Sequence, residues 1–261
     1  LELSDGWVQN VDYDMNYYLA AAYTKNGQPA EAKKVYDAIL GLKPEEKDAY
    51  FLRGSAELEL GDYESAKADF DQAISMDPKN YDRLIEIYEA LADYGYREVG
   101  QEYLQNVLNT DKKLDAYDSG RIYYYLGDYQ KAYLALEEAK GKGGVDSYLY
   151  LGKAYAATGD YNYASSVYSN YLSKQGPDAE IYNQLGLCEM AKKDYQKALE
   201  AFQAGKQIEG NSLMQTLSFN EIVAYEYLQD YQKAAVLLKA YLQNYPDDQT
   251  AIREQQFLST R

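Results

Sequence analysis

Residues 47–80 decide the fold, and they read KDAYFLRGSAELELGDYESAKADFDQAISMDPKN. The Gly-Asp pair that begins at Gly61 interrupts this stretch near its middle, so one helix ends there and a second begins. In the second half, Ala66 and Phe70 are four residues apart, which places both on one face of a helix. Pro78 closes that helix because proline cannot continue one. The stretch predicts two helices joined by a tight turn.

The same pattern recurs along the whole chain. A turn-forming residue, in most cases followed by Asp-Tyr, returns about every 34 residues, and a period of that length is typical of stacked helical hairpins. A small residue follows each turn by five positions, and a large apolar or aromatic residue follows four positions later. The turn positions are Gly27, Gly61, Gly95, Gly127, Gly159, Lys193 and Gln229.

These residues resemble the tetratricopeptide repeat (TPR) family, whose pattern has an aromatic residue, Leu-Gly, Tyr, Ala, a second aromatic residue and Pro at set offsets. Two stretches carry the resemblance most fully. They contribute Tyr50, Gly54, Gly61, Tyr63, Ala66, Phe70, Ala73 and Pro78 in one, and Tyr148, Leu151, Gly152, Tyr155, Gly159, Tyr161, Ala164 and Tyr168 in the other. The resemblance implies an all-α fold, a right-handed α-solenoid of about seven TPR helical hairpins.

The periodicity predicts where the units begin and end. Terminal repeats need caps to cover their apolar faces, so we expect an N-terminal cap or extension over 1–12, which holds Trp7 and Val11, and a C-terminal capping helix over 249–261. The seven predicted units between them are 13–46, 47–80, 81–112, 113–144, 145–178, 179–212 and 215–248.

Three charged residues occupy positions where the family pattern has core residues. Arg53 and Glu57 lie one helical turn apart, and we expect them to pair with each other as a half-buried ion pair, because buried charges need partners. Glu221 stands where the pattern usually has Leu.

The charge balance narrows the class of partner. The chain has 26 Lys and Arg against 42 Asp and Glu, a net charge of −16. Such a surface repels phosphate backbones and anionic lipids, so we expect no nucleic acid partner. Apolar runs stay far below the ~20 residues of a membrane span, so we expect no membrane insertion of the folded part.

The residue types argue against an enzyme. The chain contains no histidine, which removes the commonest general base and the usual zinc ligands. Cys188 lies two residues after Gly186 at a position that packs small side chains, so we expect a buried filler rather than a nucleophile. We predict a non-catalytic protein with no cofactor and no metal.

Tyrosines mark the predicted binding surface. The chain has 32 Tyr, of which fourteen fall at packing positions and seven others fall on the helix face opposite the core of each first helix. In the TPR family that face lines the concave groove. Tyrosines there favour protein binding, or alternatively they cover neighbouring helices. The groove candidates are Tyr17, Tyr18, Tyr117, Tyr124, Tyr125, Tyr150 and Tyr227, together with Asn183.

Two cations stand at the same place in adjacent units of this acidic chain. Arg121 and Lys153 are predicted to face the groove, where they could hold an acidic side chain or a C-terminal carboxylate of a partner peptide. The alternative is that they pair with local acids such as Asp118 or Asp146.

These features predict a scaffold that binds another protein or peptide through its Tyr-rich groove. The alternative is a cell-envelope protein that binds wall glycan. The composition resembles that of bacterial TPR proteins, which favours the cell envelope or surface, with lipid anchoring or secretion, over the alternative of the cytoplasm.

Overall fold

The computed structural model describes the backbone of residues 6–139 and 141–259 and the side chains of residues 14–139 and 141–259. Every secondary-structure element in those ranges is a helix. Their bounds are α1 Gly6–Lys25, α2 Pro29–Leu42, α3 Lys47–Glu59, α4 Tyr63–Met76, α5 Tyr81–Asp93, α6 Arg97–Thr110, α7 Ala116–Tyr125, α8 Tyr129–Glu138, α9 Val145–Ala157, α10 Tyr161–Lys174, α11 Ala179–Ala191, α12 Tyr195–Lys206, α13 Met214–Tyr227, α14 Tyr231–Asn244 and α15 Gln249–Leu258.

The helices pack in chain order as antiparallel hairpins. The first fourteen helices form seven pairs, α1–α2 through α13–α14, and α15 packs against α14. This confirms the predicted all-α solenoid of about seven hairpins with a C-terminal capping helix. The chain divides into two compact units, Leu1–Lys113 and Leu114–Arg261. The numbered bounds of the seven repeats stay a prediction.

The recurring triplet is a helix end followed directly by a helix start. At Gly61 the backbone has φ +79°, its N–H donates to Leu58, and the next N–H, of Asp62, donates to Glu57 at 2.8 Å. These two bonds close the first helix in a Schellman motif. The Asp62 carboxylate then accepts the N–H of Ser65 and so caps the second helix. The same arrangement recurs at Asp128, Asp160, Asp194 and Asp230.

Two turns use this left-handed geometry without glycine. Lys193 has φ 64° and Gln229 has φ 63°, both in the region that L residues with a Cβ adopt only at a cost. The recurrence of the turn in the sequence correctly predicted that these residues replace glycine. The fold therefore imposes the conformation even where the residue disfavours it.

Small residues let the two helices of a hairpin approach closely. A Cβ added at Gly186 would lie 2.6 Å from Cδ1 of Phe202, and one at Gly152 would overlap the ring of Tyr168. Phe202 and Tyr168 are fully buried. In these two hairpins an aromatic ring of the second helix thus lies directly on the backbone of the first helix, which explains why the family pattern has a small residue there.

The predicted mutual pairing of Arg53 and Glu57 is wrong. Arg53 donates from Nε and Nη2 to Asp69 on the other helix of its hairpin, at 2.6 and 2.8 Å. Glu57 pairs instead with Lys33 of the preceding hairpin, at 3.3 Å. Partners on packed neighbouring helices approach these side chains more closely than the residue one turn away does. Both charges therefore tie elements together across helix boundaries.

Glu221, in the second compact unit, is another charged residue whose partners lie on a neighbouring helix. Its side chain is buried, accepts a hydrogen bond from Gln203 at 2.8 Å, and pairs with Lys206 at 2.6 Å. The charge at this usual leucine position therefore links α12 to α13.

Cys188 is buried, as predicted. Burial raises the pKa of its thiol to about 11, so it stays protonated near neutral pH and packs as a small apolar side chain. The expected N-terminal cap is only partly described: residues 6–12 belong to α1, and the side chains of Trp7 and Val11 lie outside the described residues. None of the described helices combines the length and the apolar character needed to cross a bilayer.

Candidate functional site

The first helices of consecutive hairpins touch each other in the second unit. Helix α7 contacts α9, and α9 contacts α11, while a side-chain hydrogen bond joins α11 to α13. We call the surface they form the first-helix face, and it carries Tyr125, Tyr150, Lys153, Asn183 and Asn220.

A cluster of tyrosines begins this face. The rings of Tyr124 and Tyr150 lie 5.5 Å apart in a T-shaped arrangement, and Tyr125 meets each of them edge-on. The hydroxyls of Tyr125 and Tyr150 are 2.9 Å apart and hydrogen-bonded. Burial, followed by the neighbouring phenols of Tyr129 and Tyr150, raises the pKa of Tyr124. The structure thus brings three predicted groove tyrosines together as a half-buried cluster.

Lys153 continues the face one turn further along α9. Its ammonium nitrogen lies 3.5 Å from Glu180 of α11, and Gln184 donates to the same carboxylate at 2.8 Å. The local acid is therefore Glu180, not Asp146. Glu180 was not among the groove residues predicted from the sequence, although it is the second residue of the predicted unit 179–212. About a third of each side chain remains exposed, so the pair is accessible.

Two asparagines form the next link. Asn220 of α13 donates from Nδ2 to the Oδ1 of Asn183 at 2.9 Å, and Asn183 is buried. Leu187, four residues after Asn183 on the same helix, is 41% exposed. An amide pair beside an exposed leucine offers both hydrogen-bonding and apolar contacts within one helical turn.

Arg121 differs from its prediction as a presented cation. Its side chain is only 9% exposed, its Nη2 lies 2.5 Å from Asp118, and its guanidinium sits 4.4 Å from the ring centroid of Tyr117. Arg121 therefore pairs with the local acid Asp118, which was the alternative prediction for this residue. Arg121 and Tyr117 therefore pack against each other on α7. Burial of the guanidinium strengthens its attraction both to the Asp118 carboxylate and to the face of the Tyr117 ring.

The two predicted groove tyrosines of the first hairpin, Tyr17 and Tyr18, have different surroundings. Tyr17 packs against the core cluster of the first hairpin, with its ring 6.3 Å from that of Tyr36. Tyr18 is 78% exposed. Their adjacent positions on α1 point them in different directions, so only Tyr18 offers a ring to solvent.

The chemistry available on the first-helix face is recognition. Phenols, amides and one lysine–glutamate pair donate and accept hydrogen bonds, and the tyrosine rings add rigid apolar area. Among the described residues, no three Asp, Glu or Cys side chains come together as a group able to hold a metal ion.

Stacked helical hairpins that present side chains from their first helices define a class of proteins, the helical-repeat solenoids. Models of the tetratricopeptide repeat match residues 17–81, 149–212 and 219–248, which together make up more than half of the sequence. The chain belongs to the tetratricopeptide-repeat family. Members of this family generally mediate protein–protein interactions and are typically non-catalytic.

Several solved structures resemble most of the chain in fold. A TPR protein from Parabacteroides merdae superposes with a TM-score of 0.63 at 15% identity and covers 95% of this chain and 99% of that one. PilW, a type IV pilus biogenesis factor, superposes with a TM-score of 0.53 at 16% identity and covers 94% of this chain and 97% of that one. Yeast Tom70 superposes with a TM-score of 0.59 at 16% identity, over 83% of this chain and 48% of that one. At such identities the likeness shows the fold alone.

A curated relative matches a short part of the chain. The mouse protein called FK506-binding protein-like is 40% identical over 62 residues, which are 24% of this chain and 18% of that protein.

Proposed function

We propose that this protein is a non-catalytic scaffold that binds a segment of another protein on the first-helix face. The observation that carries the proposal is the run of side-chain contacts from one first helix to the next: Tyr125 to Tyr150, Lys153 to Glu180, and Asn183 to Asn220. Such a run offers a peptide polar partners on consecutive first helices.

The lysine–glutamate pair gives this surface its selectivity for charge. An ion pair at 3.5 Å with about a third of each side chain exposed contributes little to folding, so a partner carboxylate can displace Glu180 from Lys153 at small cost. The partner chemistry we propose is an acidic side chain or a C-terminal carboxylate. Tyr150 next to Lys153 supplies the apolar contact that holds the rest of the segment.

The test is selection of binding peptides from a random library displayed with free C-termini, using the full chain as bait. Selected peptides are then measured against Tyr150→Ala and Lys153→Glu. We expect each substitution to weaken binding about tenfold or more, since each removes a central contact.

The control is Lys239→Glu, which makes the same charge change at an exposed lysine on the second helix α14. It should leave the affinity unchanged. Equal affinities for the wild-type chain, Tyr150→Ala and Lys153→Glu would place the peptide elsewhere and contradict the proposal.

Glycan binding is the second candidate, and a tyrosine stack favours it. The rings of Tyr133 and Tyr155 lie 4.6 Å apart, Tyr163 stacks on Tyr155 at 5.3 Å, and Tyr163 is 60% exposed. An exposed ring held rigidly by a stack is a surface on which a sugar ring can pack. Sedimentation of the chain with purified wall fragments tests this, and a Tyr163→Ala variant that still sediments equally would contradict it.

The compartment is part of the proposal. We place the protein in a bacterial cell envelope, with the cytoplasm as the alternative, on the basis of its acidic, tyrosine-rich composition. Immunoblotting of fractionated cells distinguishes the two.

A further inference from the structure

A cavity of ≈ 470 Å³ lies where the last hairpin meets the capping helix. It opens to solvent between the end of α13, the start of α14 and α15, and it is lined by Glu226, Tyr227, Tyr231, Glu254 and Phe257. Two carboxylates and three aromatic rings therefore share one cavity, and no Lys or Arg is among these lining residues.

The carboxylates are held at an electrostatic cost. Burial, the negative charge of Glu254 and a hydrogen bond with the Glu254 carboxyl group, in that order, raise the pKa of Glu226 to about 7. Oε1 of Glu226 is shielded from water and accepts no hydrogen bond from any described residue. Above this pKa the two carboxylates lose the proton that they share, and Oε1 of Glu226 has no donor, an arrangement that a bound donor carrying positive charge would relieve.

The aromatic rings are positioned to complete such a site. Tyr227 is stacked on Tyr195, with centroids 4.9 Å apart and an interplanar angle of 27°, so its orientation is fixed. It is nevertheless 57% exposed, and Phe257 is 40% exposed. Aromatic side chains around a concave site attract cations through the negative potential of their ring faces.

We propose that this cavity binds the ammonium group of a lysine side chain presented by a partner polypeptide. The ammonium donates hydrogen bonds to Glu226 and Glu254, and its methylene stem packs along Tyr227 and Phe257. This charge preference is opposite to the one proposed for Lys153, and the site stands independently of the first-helix face. A partner with separated acidic and basic segments would engage both.

Two pentapeptides with blocked termini, identical apart from a central lysine or acetyl-lysine among glycines, serve as probes. The full chain is titrated with each at pH 8, and the ring proton resonances of Tyr227 and Phe257 are followed by NMR. We expect the lysine peptide to shift these resonances saturably and the acetyl-lysine peptide to bind about tenfold more weakly or worse. Calorimetry near pH 7 should also detect proton release from the protein on binding, since the ammonium favours ionised Glu226.

The paired variant Glu226→Gln/Glu254→Gln keeps the shape of the cavity and removes its charge. It should fold and lose the preference for lysine over acetyl-lysine, whereas Glu209→Gln, an exposed glutamate outside the cavity, should keep it. Equal binding of the two peptides by the wild-type chain, absence of a saturable shift, or an unchanged preference in the paired variant would overturn the proposal.

Discussion

The hydroxyl oxygens of Tyr125 and Tyr150 lie 2.9 Å apart, and their hydrogen bond joins the first helices of two consecutive hairpins. Both side chains are half-buried, so the bond is formed partly out of water. It couples neighbouring repeats on the surface where we place the partner.

Removing either hydroxyl should break this bond. We expect Tyr125→Phe and Tyr150→Phe each to lower the free energy of unfolding by about 1 kcal/mol. The double variant should cost hardly more than either single variant, because the second hydroxyl has already lost its partner. Urea unfolding of the four proteins measures the coupling, and strictly additive losses would show that the bond contributes nothing.

Glycine should stabilise the two turns that lack it. We expect Lys193→Gly to raise the free energy of unfolding by about 1 kcal/mol, because φ 64° is unfavourable for a residue with a Cβ. The matched control is Lys239→Gly in the middle of α14, which should lower it by about 1 kcal/mol. Thermal unfolding compares the two, and a loss of stability in Lys193→Gly would mean that its side chain offsets the backbone cost.

A single methyl group should disrupt a hairpin core. We expect Gly186→Ala to destabilise the chain by about 1–3 kcal/mol, because its Cβ would overlap the ring of Phe202. Gly41→Ala supplies the contrast: Gly41 is helical, and apart from its chain neighbours and the backbone of its own helix nothing lies within 4 Å of its added Cβ. That variant should be neutral or more stable. Equal effects at both positions would contradict the close helix approach described at Gly186.

The pH dependence of stability should carry the signature of Glu226. Its pKa is raised from 4.5 to about 7 in the folded chain, so the native state binds more protons than the unfolded chain between these values. Stability from this group is therefore present below pH 4.5 and is lost as pH rises toward 7. The other titratable groups lining the cavity are Glu254 and the phenols of Tyr227 and Tyr231.

Glu226→Gln should remove that loss. Since the side chain is only half-buried, we discount the full linkage energy for solvent screening and expect a gain of roughly 1 kcal/mol at pH 8. The gain should vanish at pH 4.5. Denaturant unfolding at both pH values measures it, with Glu209→Gln as the control, and a gain independent of pH would rule out the proposed cause.

The fold could be predicted from the sequence because each repeat contains the residues that specify its own turn and helix boundaries. Gly61 with Asp62 specifies a helix end and start, and the recurrence of that pair fixes the hairpins even where Lys193 stands in place of glycine. The capping helix α15 followed from the same logic, since a terminal repeat exposes an apolar face.

The candidate site could be predicted only in part. A helical-wheel argument, which depends on periodicity alone, placed Tyr124, Tyr125 and Tyr150 on one face, and their rings are in contact in the structure. It could not show that Arg121 turns inward, since that depends on the rotamer that brings its guanidinium to Asp118. The helical-wheel argument also could not predict the cavity around Glu226, because the capping helix that supplies Glu254 follows no repeat pattern.

Photo-cross-linking tests the proposed first-helix face most directly. A photoreactive residue replaces Gln184 of α11 in one chain and Lys239 of α14 in another, and each is irradiated with a peptide from the library selection. We expect efficient cross-linking from position 184, suppressed by excess unlabelled peptide, and background yield from position 239. Efficient cross-linking from position 239 with none from position 184 would contradict binding on the first-helix face.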